Sequence, residues 1–523
     1  MLIKNARIHP GDRQAPFIGW VRTEGERIVE LGEGECGEEG LDASGLDLTP
    51  GFIDAHSHND YFVGREDSPY FFEPFVRQGI TSFITGNCGS SAAGYFESSA
   101  YSHLIGGGLF SIEGRDQSHL PSFIERVTDR MPLNIAMLAG HSTLRITLNG
   151  KGSESLSDAQ LEQMVKKADQ LMGEGAAGVS LGLMYEPSQY APKEELLALA
   201  KVVKEHNKVL SVHARAFSKV STSYPLTKTR PHNLLALQEM VDLAVETGVK
   251  LQYSHMIFVG RQSWNTVEES LKLIEEANLS GADMMFDMYS LDFGASIITV
   301  VLPGWYLSSP PEERKKTLAK IRLFLEVHIA RKTLGFDFED ILVTNTHGLA
   351  TELEGKTVQE LANLWRMKPL DAYLQVIERT EERAAVLMYK YQNEEIIERL
   401  RNHPLALYMS DAWMEKEGVQ NFACYYSLPK FLKLALDNDT DFEDALHKMT
   451  SGVADRYQMK DRGRIKEGHY ADLVLLDLSR LNYKENREEY PTGIEWVMNN
   501  GKVVLEQGKL SDDFASSGKF IRV

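Results

Sequence analysis

Residues 50–60 read PGFIDAHSHND. A short apolar run ends in two histidines one residue apart, His56 and His58. Strand side chains alternate between faces, so residues i and i+2 point the same way. Two imidazoles aimed together at a strand end are either polar groups facing water or ligands of one metal. Which of the two holds depends on whether the rest of the chain supplies partners.

Downstream, short apolar runs alternate with amphipathic helical stretches. The runs are GITSFITGNCG, LNIAMLAGHS, GAAGVSLGL, VLSVHARAF, VKLQYSHMI, ADMMFDMYS and ALYMSD. Between them, SDAQLEQMVKKADQLMGEG, PKEELLALAKVVKEHN and HNLLALQEMVDLAVETG carry helical periodicity. Strand–helix alternation predicts a parallel sheet covered by helices. About eight such runs predict a closed α/β barrel, (β/α)8, over residues 51–455, with its chemistry at the C-terminal strand ends. A doubly wound open sheet is the alternative. It favours a glycine-rich phosphate loop after the first strand, where HSHND stands instead.

The two chain ends resemble each other. MLIKNARI, GWVRTEGERIVELGEG and GLDLTPGFIDAH open the chain; HYADLVLLDL, GIEWVMNNGKVVLEQGKL and KFIRV close it. Both read as short strands with turns, and the NNG at 499–501 is a hairpin signal. Residues 1–50 and 456–523 are therefore expected to build one small β-sandwich domain. Residues 292–365 break the barrel rhythm with VLPGWYLSSPPEERKKTLAKIRLFLEVHI. This segment reads as an insertion between barrel strands, either a lid over the mouth or an interface.

Composition narrows the function classes. A chain of 523 residues, 43% hydrophobic and 25% charged, is long enough for a large core and ordinary for a soluble globular enzyme. A net charge of −19 argues against a nonspecific nucleic-acid binder, which needs a basic face. No apolar leader and no membrane-length apolar run are read. Cys36, Cys88 and Cys424 are too few for a disulfide framework, which fits a reducing, cytoplasmic location.

Besides His56 and His58, Cys88 follows TSFITGN, His213 follows VLSV, His255 follows VKLQYS and Asp411 follows ALYMS. Each is a competent ligand for a borderline divalent metal such as zinc. In a barrel, strand ends converge on one mouth, so these distant residues can meet. Alone each has a plainer explanation: Cys88 as core filler, Asp411 as a helix cap before AWMEKEG. Six such residues in strand-end order are what make the metal reading the stronger one.

HxH, single histidines on later strands and a late aspartate form a pattern that resembles the amidohydrolase superfamily. More closely, the chain resembles the N-acyl-D-amino-acid deacylases, or D-aminoacylases. The resemblance rests on GFIDAHSHND, GNCGSS, AGHSTLR, GAAGVSLGLMYEPSQYA, VHAR, YSH and PTGIEWVMNNGKVV, over roughly residues 50–500. It implies a zinc-dependent hydrolase of the amide bond of an N-acylated D-amino acid or a similar small amide, a small-molecule substrate. It implies a tight zinc on Cys88, His213 and His255, and a second, weaker metal position among His56, His58 and Asp411. Asp411 would take the proton of the attacking water and pass it to the leaving amine.

Hydantoinases and dihydroorotases carry a metal-bridging carbamylated lysine on the fourth strand. Ser180 takes that place here, which leaves a cyclic-amide hydrolase as the weaker alternative and an inactive scaffold barrel as a third. The candidate substrate contacts are His141, Arg145, Tyr185 and Tyr289, with Arg215 and Arg261 as further guanidinium groups for a substrate carboxylate. His141 equally suits a role in orienting its loop. The chain also departs from these deacylases. The stretch AWMEKEGVQNFACYYSLPKFL lacks their glycine after the aspartate and their later His-Pro-Arg run. YSHMIFVGRQSW lacks the lysine often found two residues after the histidine. Stereochemistry, acyl group and a homo-oligomeric state stay open.

Overall fold

The computed structural model describes residues 1–106, 110–112, 115–221, 223–225, 227, 229–303, 305–306, 309–314 and 316–523. Gly304, Leu307, Ser308 and Lys315 of the expected insertion lie outside the described residues. The chain begins with β1 (Leu2–Ile8), β2 (Phe17–Glu24), β3 (Arg27–Glu33), β4 (Leu41–Asp42) and β5 (Asp47–Pro50). In β2, Gly19, Val21 and Thr23 are buried in alternation, as expected of a strand with one face on a core.

The barrel follows. Its strands are β6 (Phe52–Asp54), β7 (Ile80–Thr85), β8 (Asn134–Met137) continued by β9 (Ala139–Gly140), β10 (Gly178–Gly182), β11 (Val209–His213), β12 (Lys250–Tyr253) and β13 (Asp283–Met288). Strands β7, β10 and β11 are buried along their whole length, because helices cover one side and the barrel interior the other. Adjacent strands pair in parallel, with Ser180 opposite Ser211 and Gly182 opposite His213. The covering helices include α1 (Ser68–Val76), α2 (Leu120–Val127), α3 (His141–Asn149), α4 (Asp158–Gly173), α5 (Lys193–Glu205), α6 (His232–Thr247) and α7 (Val267–Leu279). A capping box between Ser157 and Gln160 starts α4.

The last barrel strand comes only after an excursion. The chain passes through β14 (Phe293–Ile297), β15 (Ile341–Asn345) and β16 (Ala385–Tyr389) before β17 (Ala406–Tyr408) pairs with β13. The barrel closes where Ala55 N–H donates to the Tyr408 carbonyl at 3.2 Å. The excursion is a small sheet in its own right, β16 lying antiparallel between β14 and β15. It holds a separate core of Ile298, Leu323, Val327, Phe338 and Tyr373. It therefore runs to Tyr389, past the residue 365 expected from sequence, because β14 finds its partner only at β16.

The chain then returns to the first sheet with β18 (Leu473–Leu476), β19 (Ile494–Asn499), β20 (Lys502–Glu506) and β21 (Lys509–Leu510). Antiparallel pairing of β18 with β5 joins the two ends. The order is β21-β20-β19-β18-β5-β1-β2-β3, a mixed sheet consistent with the expected β-sandwich domain. Its core of Ile3, Ile8, Val21, Leu48, Leu473 and Trp496 is distinct from that of the barrel. No helix among the described residues is long and apolar enough to cross a membrane.

Candidate metal centre

The barrel brings the six candidate ligands to one place. His213 is the last residue of β11, and the other five follow β6, β7, β12 and β17 by a few residues. Cys88 Sγ lies 3.4 Å from His56 Nε2, 3.5 Å from His213 Nδ1 and 3.5 Å from His255 Nε2. His213 Nδ1 and His255 Nε2 are 2.8 Å apart. Asp411 Oδ1 is 3.6 Å from both His56 Nε2 and His58 Nε2. Two metal-sized groups result, His56–Cys88–His255 and His56–His58–Asp411, sharing His56.

This donor set fits zinc. A tetrahedral ion with Zn–S of about 2.3 Å and Zn–N of about 2.0 Å puts sulfur and nitrogen about 3.5 Å apart. The three sulfur–nitrogen distances match that edge. The His213–His255 edge is shorter, at hydrogen-bond distance. The far ring nitrogens His58 Nδ1, His213 Nε2 and His255 Nδ1 are buried without a hydrogen-bond partner, so the rings are held by packing and by what their other nitrogens face.

Electrostatics agree with a cation site. Burial pushes the Cys88 thiol up, but the His56 and His213 imidazoles outweigh it and hold the thiol well below its ordinary range. Burial likewise pushes the Asp411 carboxyl up, and His56, His58 and His255 pull it below the usual carboxylate value. Burial and the neighbouring His255 ring depress His213 to about 4. Burial also works against charge on His58, yet bonds to Asp411 and Cys88 raise it to about 9. The proton held on His58 is one that a metal displaces on binding.

The backbone is constrained at three of these positions. Cys88, His255 and Asp411 have φ of 52°, 32° and 49°, in the left-handed region that favours glycine. Such residues cost about 1–3 kcal/mol each and persist only where their surroundings over-determine them. At His255 the N–H donates to Asp287 Oδ1 at 2.6 Å; at Asp411 it donates to the His56 carbonyl at 3.1 Å.

Asp287 and Asp54 were not singled out from sequence. Asp287 is fully buried, accepts also from Gln252 Nε2 at 3.1 Å, and lies 3.5 Å from His56 Nδ1. It sits in β13, two residues before Tyr289, which follows the strand directly. That proximity in FDMYS was the available signal. Asp54 ties the barrel seam, accepting from the His56 and Ser410 N–H groups at 3.2 and 3.0 Å and from the Ser410 hydroxyl. Burial raises it to about 7 against those bonds.

The expected substrate contacts divide. Tyr185 is 47% exposed, its ring 4.5 Å from that of His213. Tyr289 lines a small pocket with Asp411, Phe293 and Asn421. His141 and Arg145, in contrast, are fully buried. Both ring nitrogens of His141 are engaged, with Glu195 and Ser188 at 2.7 Å each. Arg145 binds both Glu195 oxygens at 3.0 and 2.8 Å and the Pro187 and Glu154 carbonyls. Their substrate-binding role is corrected accordingly: Glu195, distant in sequence, claims both. Arg215 is tied to Glu239 at 3.0 and 2.9 Å, and Arg261 is exposed. Aromatic side chains that sequence did not flag flank the site, Phe110 stacking on His58 at 5.3 Å and Trp413 meeting it edge-on at 5.7 Å.

Comparison with known proteins gives the following. The amidohydrolase family profile matches residues 48–291, and a second amidohydrolase family profile matches 433–505. A D-aminoacylase of Alcaligenes xylosoxydans xylosoxydans is 26% identical, covering 92% of this chain and 90% of its own. A D-aminoacylase structure described as having a binuclear metal centre superposes with a TM-score of 0.79 at 22% identity, over 100% of this chain and 99% of that one. An N-acyl-D-glutamate deacylase from Bordetella bronchiseptica, solved with zinc and a phosphonate mimic of the tetrahedral intermediate, gives 0.78 at 23%, over 100% and 99%. At these identities the two structures establish the fold.

Proposed function

Because the chain belongs to the amidohydrolase family, we propose that it is a zinc-dependent hydrolase of a linear amide, an N-acylated amino acid of D configuration or a similar small amide. The observation that carries this reading is the convergence of Cys88, His213 and His255 beside His56, His58 and Asp411. The relatives named for N-acyl-D-amino acids support the substrate class. Cys88, His213 and His255 would hold the tight ion, and His56, His58 and Asp411 would surround a second, weaker position. Bound zinc supplies Lewis acidity, polarising the scissile carbonyl and making water acidic enough to attack near neutral pH.

The chain's own groups do the rest. Asp411 is ionised, 24% exposed and fixed between two imidazoles, so it can receive the proton of the attacking water. The same carboxyl, once protonated, can deliver that proton to the leaving amine. The Tyr185 and Tyr289 hydroxyls are the candidate donors to the oxyanion or the substrate's polar ends. Phe110 and Trp413 shield the His58 side from water. The insertion reads as a lid: Phe293, Gly294 and Ala295 of β14 lie against the pocket that Asp411 lines.

A cyclic-amide hydrolase is the weaker reading, because Ser180 occupies the fourth-strand position and its hydroxyl is committed to two backbone groups. An amine-release screen of N-acyl-D- and N-acyl-L-amino acids, acylated dipeptides and cyclic amides tests the proposal. Turnover of a linear N-acyl substrate is expected. Turnover of cyclic amides alone would replace it.

A further inference from the structure

The GNCGSS and AGHSTLR stretches are locked together. Gly86, Cys88 and Gly89 all have left-handed φ, at 72°, 52° and 76°. Three such residues in four make a tight crook that aims the Cys88 thiol at the imidazoles. Glycine accepts this conformation without cost, and cysteine does not. Something must hold Cys88 there.

Ser180 grips the crook on both sides. Its fully buried hydroxyl donates to the Gly86 carbonyl and accepts from Gly89 N–H at 3.0 Å. The N-terminal turn of α3 grips the other flank. Thr143 N–H donates to the Gly89 carbonyl at 3.2 Å. The Thr143 hydroxyl accepts from Ser91 N–H at 2.9 Å and donates to the Ser91 carbonyl at 3.1 Å. The packing leaves no slack. A Cβ on Gly182 would come within 2.0 Å of the Cys88 carbonyl oxygen, and one on Gly140 within 2.6 Å of that of Gly89. Behind α3, the chain Glu195–His141–Ser188–Ser142 is hydrogen-bonded at 2.7 Å at each step, which gives the buried His141 its place.

We infer that Ser180, bonded to the crook itself, and the Thr143 hydroxyl, acting through Ser91 just beyond it, are positioning residues that hold Cys88 in its left-handed conformation and thereby set the metal affinity of the site. This rests on the zinc reading above. Ser180 then has a defined task at the barrel position where a bridging lysine would otherwise stand. Groups that orient a metal ligand from outside its coordination shell are typically worth about 10–100-fold in affinity.

The test uses the full chain in a Cys36→Ser background, since Cys36 is partly exposed and Cys424 is buried. Ser180→Ala and Thr143→Val are compared with Thr380→Val, which deletes a buried hydroxyl bonded at 2.9 Å to the Val376 carbonyl, away from the site. Zinc affinity is read by chelator competition, and Cys88 reactivity towards a disulfide reagent is read in the metal-free protein. The first two variants should bind zinc about tenfold or more weakly and show altered thiol rates. Thr380→Val should change neither, and Ser180→Thr, which keeps the hydroxyl, should restore affinity. If Ser180→Ala does not fold, Thr143→Val decides. Parent-like affinity and thiol rates in the folded variants overturn the inference. A parent that takes up no zinc overturns the zinc reading instead, while the thiol rates still judge the clamp.

Discussion

Replacing Asp287 by asparagine tests how the imidazoles are held. The carboxylate accepts from His255 N–H at 2.6 Å and Gln252 Nε2 at 3.1 Å, and lies 3.5 Å from His56 Nδ1, all in fully buried surroundings. Asparagine keeps one acceptor oxygen and turns the other position into a donor. One of the two bonds must then face donor to donor. Leaving a buried donor unmade costs about 1–3 kcal/mol. The His255 N–H bond is also the one that fixes a residue at φ 32°, so its loss should reach the metal site. The expected result is a metal-free protein destabilised by about 1–3 kcal/mol and a zinc affinity reduced by about 10–100-fold. Denaturant titration gives the first number and chelator competition the second. Parent-like values in both would refute the role assigned to Asp287, and a stability loss without an affinity loss would reduce it to a structural one.

Asp411→Asn should keep the fold and the tight zinc while lowering turnover by about 10²–10⁴-fold, read by amine release; near-normal turnover would remove Asp411 from the proton-transfer role. His9 lies between Asp47 at 2.9 Å and Glu443 at 2.6 Å, where the two carboxylates outweigh burial and raise its pKa above the ordinary value. A raised folded-state pKa gives stability that is fully present below about pH 6.5 and is lost as pH rises through the folded value. His9→Gln should therefore lose most stability on the acidic side and flatten the pH profile of denaturant unfolding; an unchanged profile would contradict this. If the insertion is a lid, hydrogen exchange of β14 should slow when a carboxylic-acid product binds, at any protein concentration; protection that follows dilution and ignores product would make it an interface.

Much of the site was legible because barrel geometry turns strand ends into neighbours. His56, His58, Cys88, His213, His255 and Asp411 each end a readable apolar run, and topology alone brings them together. What was not legible depends on pairing across the fold. Nothing near Arg145 announces that Glu195 will bury it, so an arginine suited to a carboxylate substrate becomes an internal ion pair. Asp287 was hidden inside β13, just before the tyrosine that drew attention, and it is fully buried beside His56. The end of the insertion depends on the antiparallel pairing of β16 with β14 and β15, which residues Ala385–Tyr389 alone do not announce.

The most direct measurement is the metal content and amine-release rate of purified parent and Cys88→Ala proteins, taken on the same samples. A soft thiolate with two imidazoles is a good zinc set. The parent should carry stoichiometric zinc, and Cys88→Ala should lose most of it together with turnover. A Cys88→Ala protein with full zinc and full activity would make Cys88 a core residue and contradict the proposed centre.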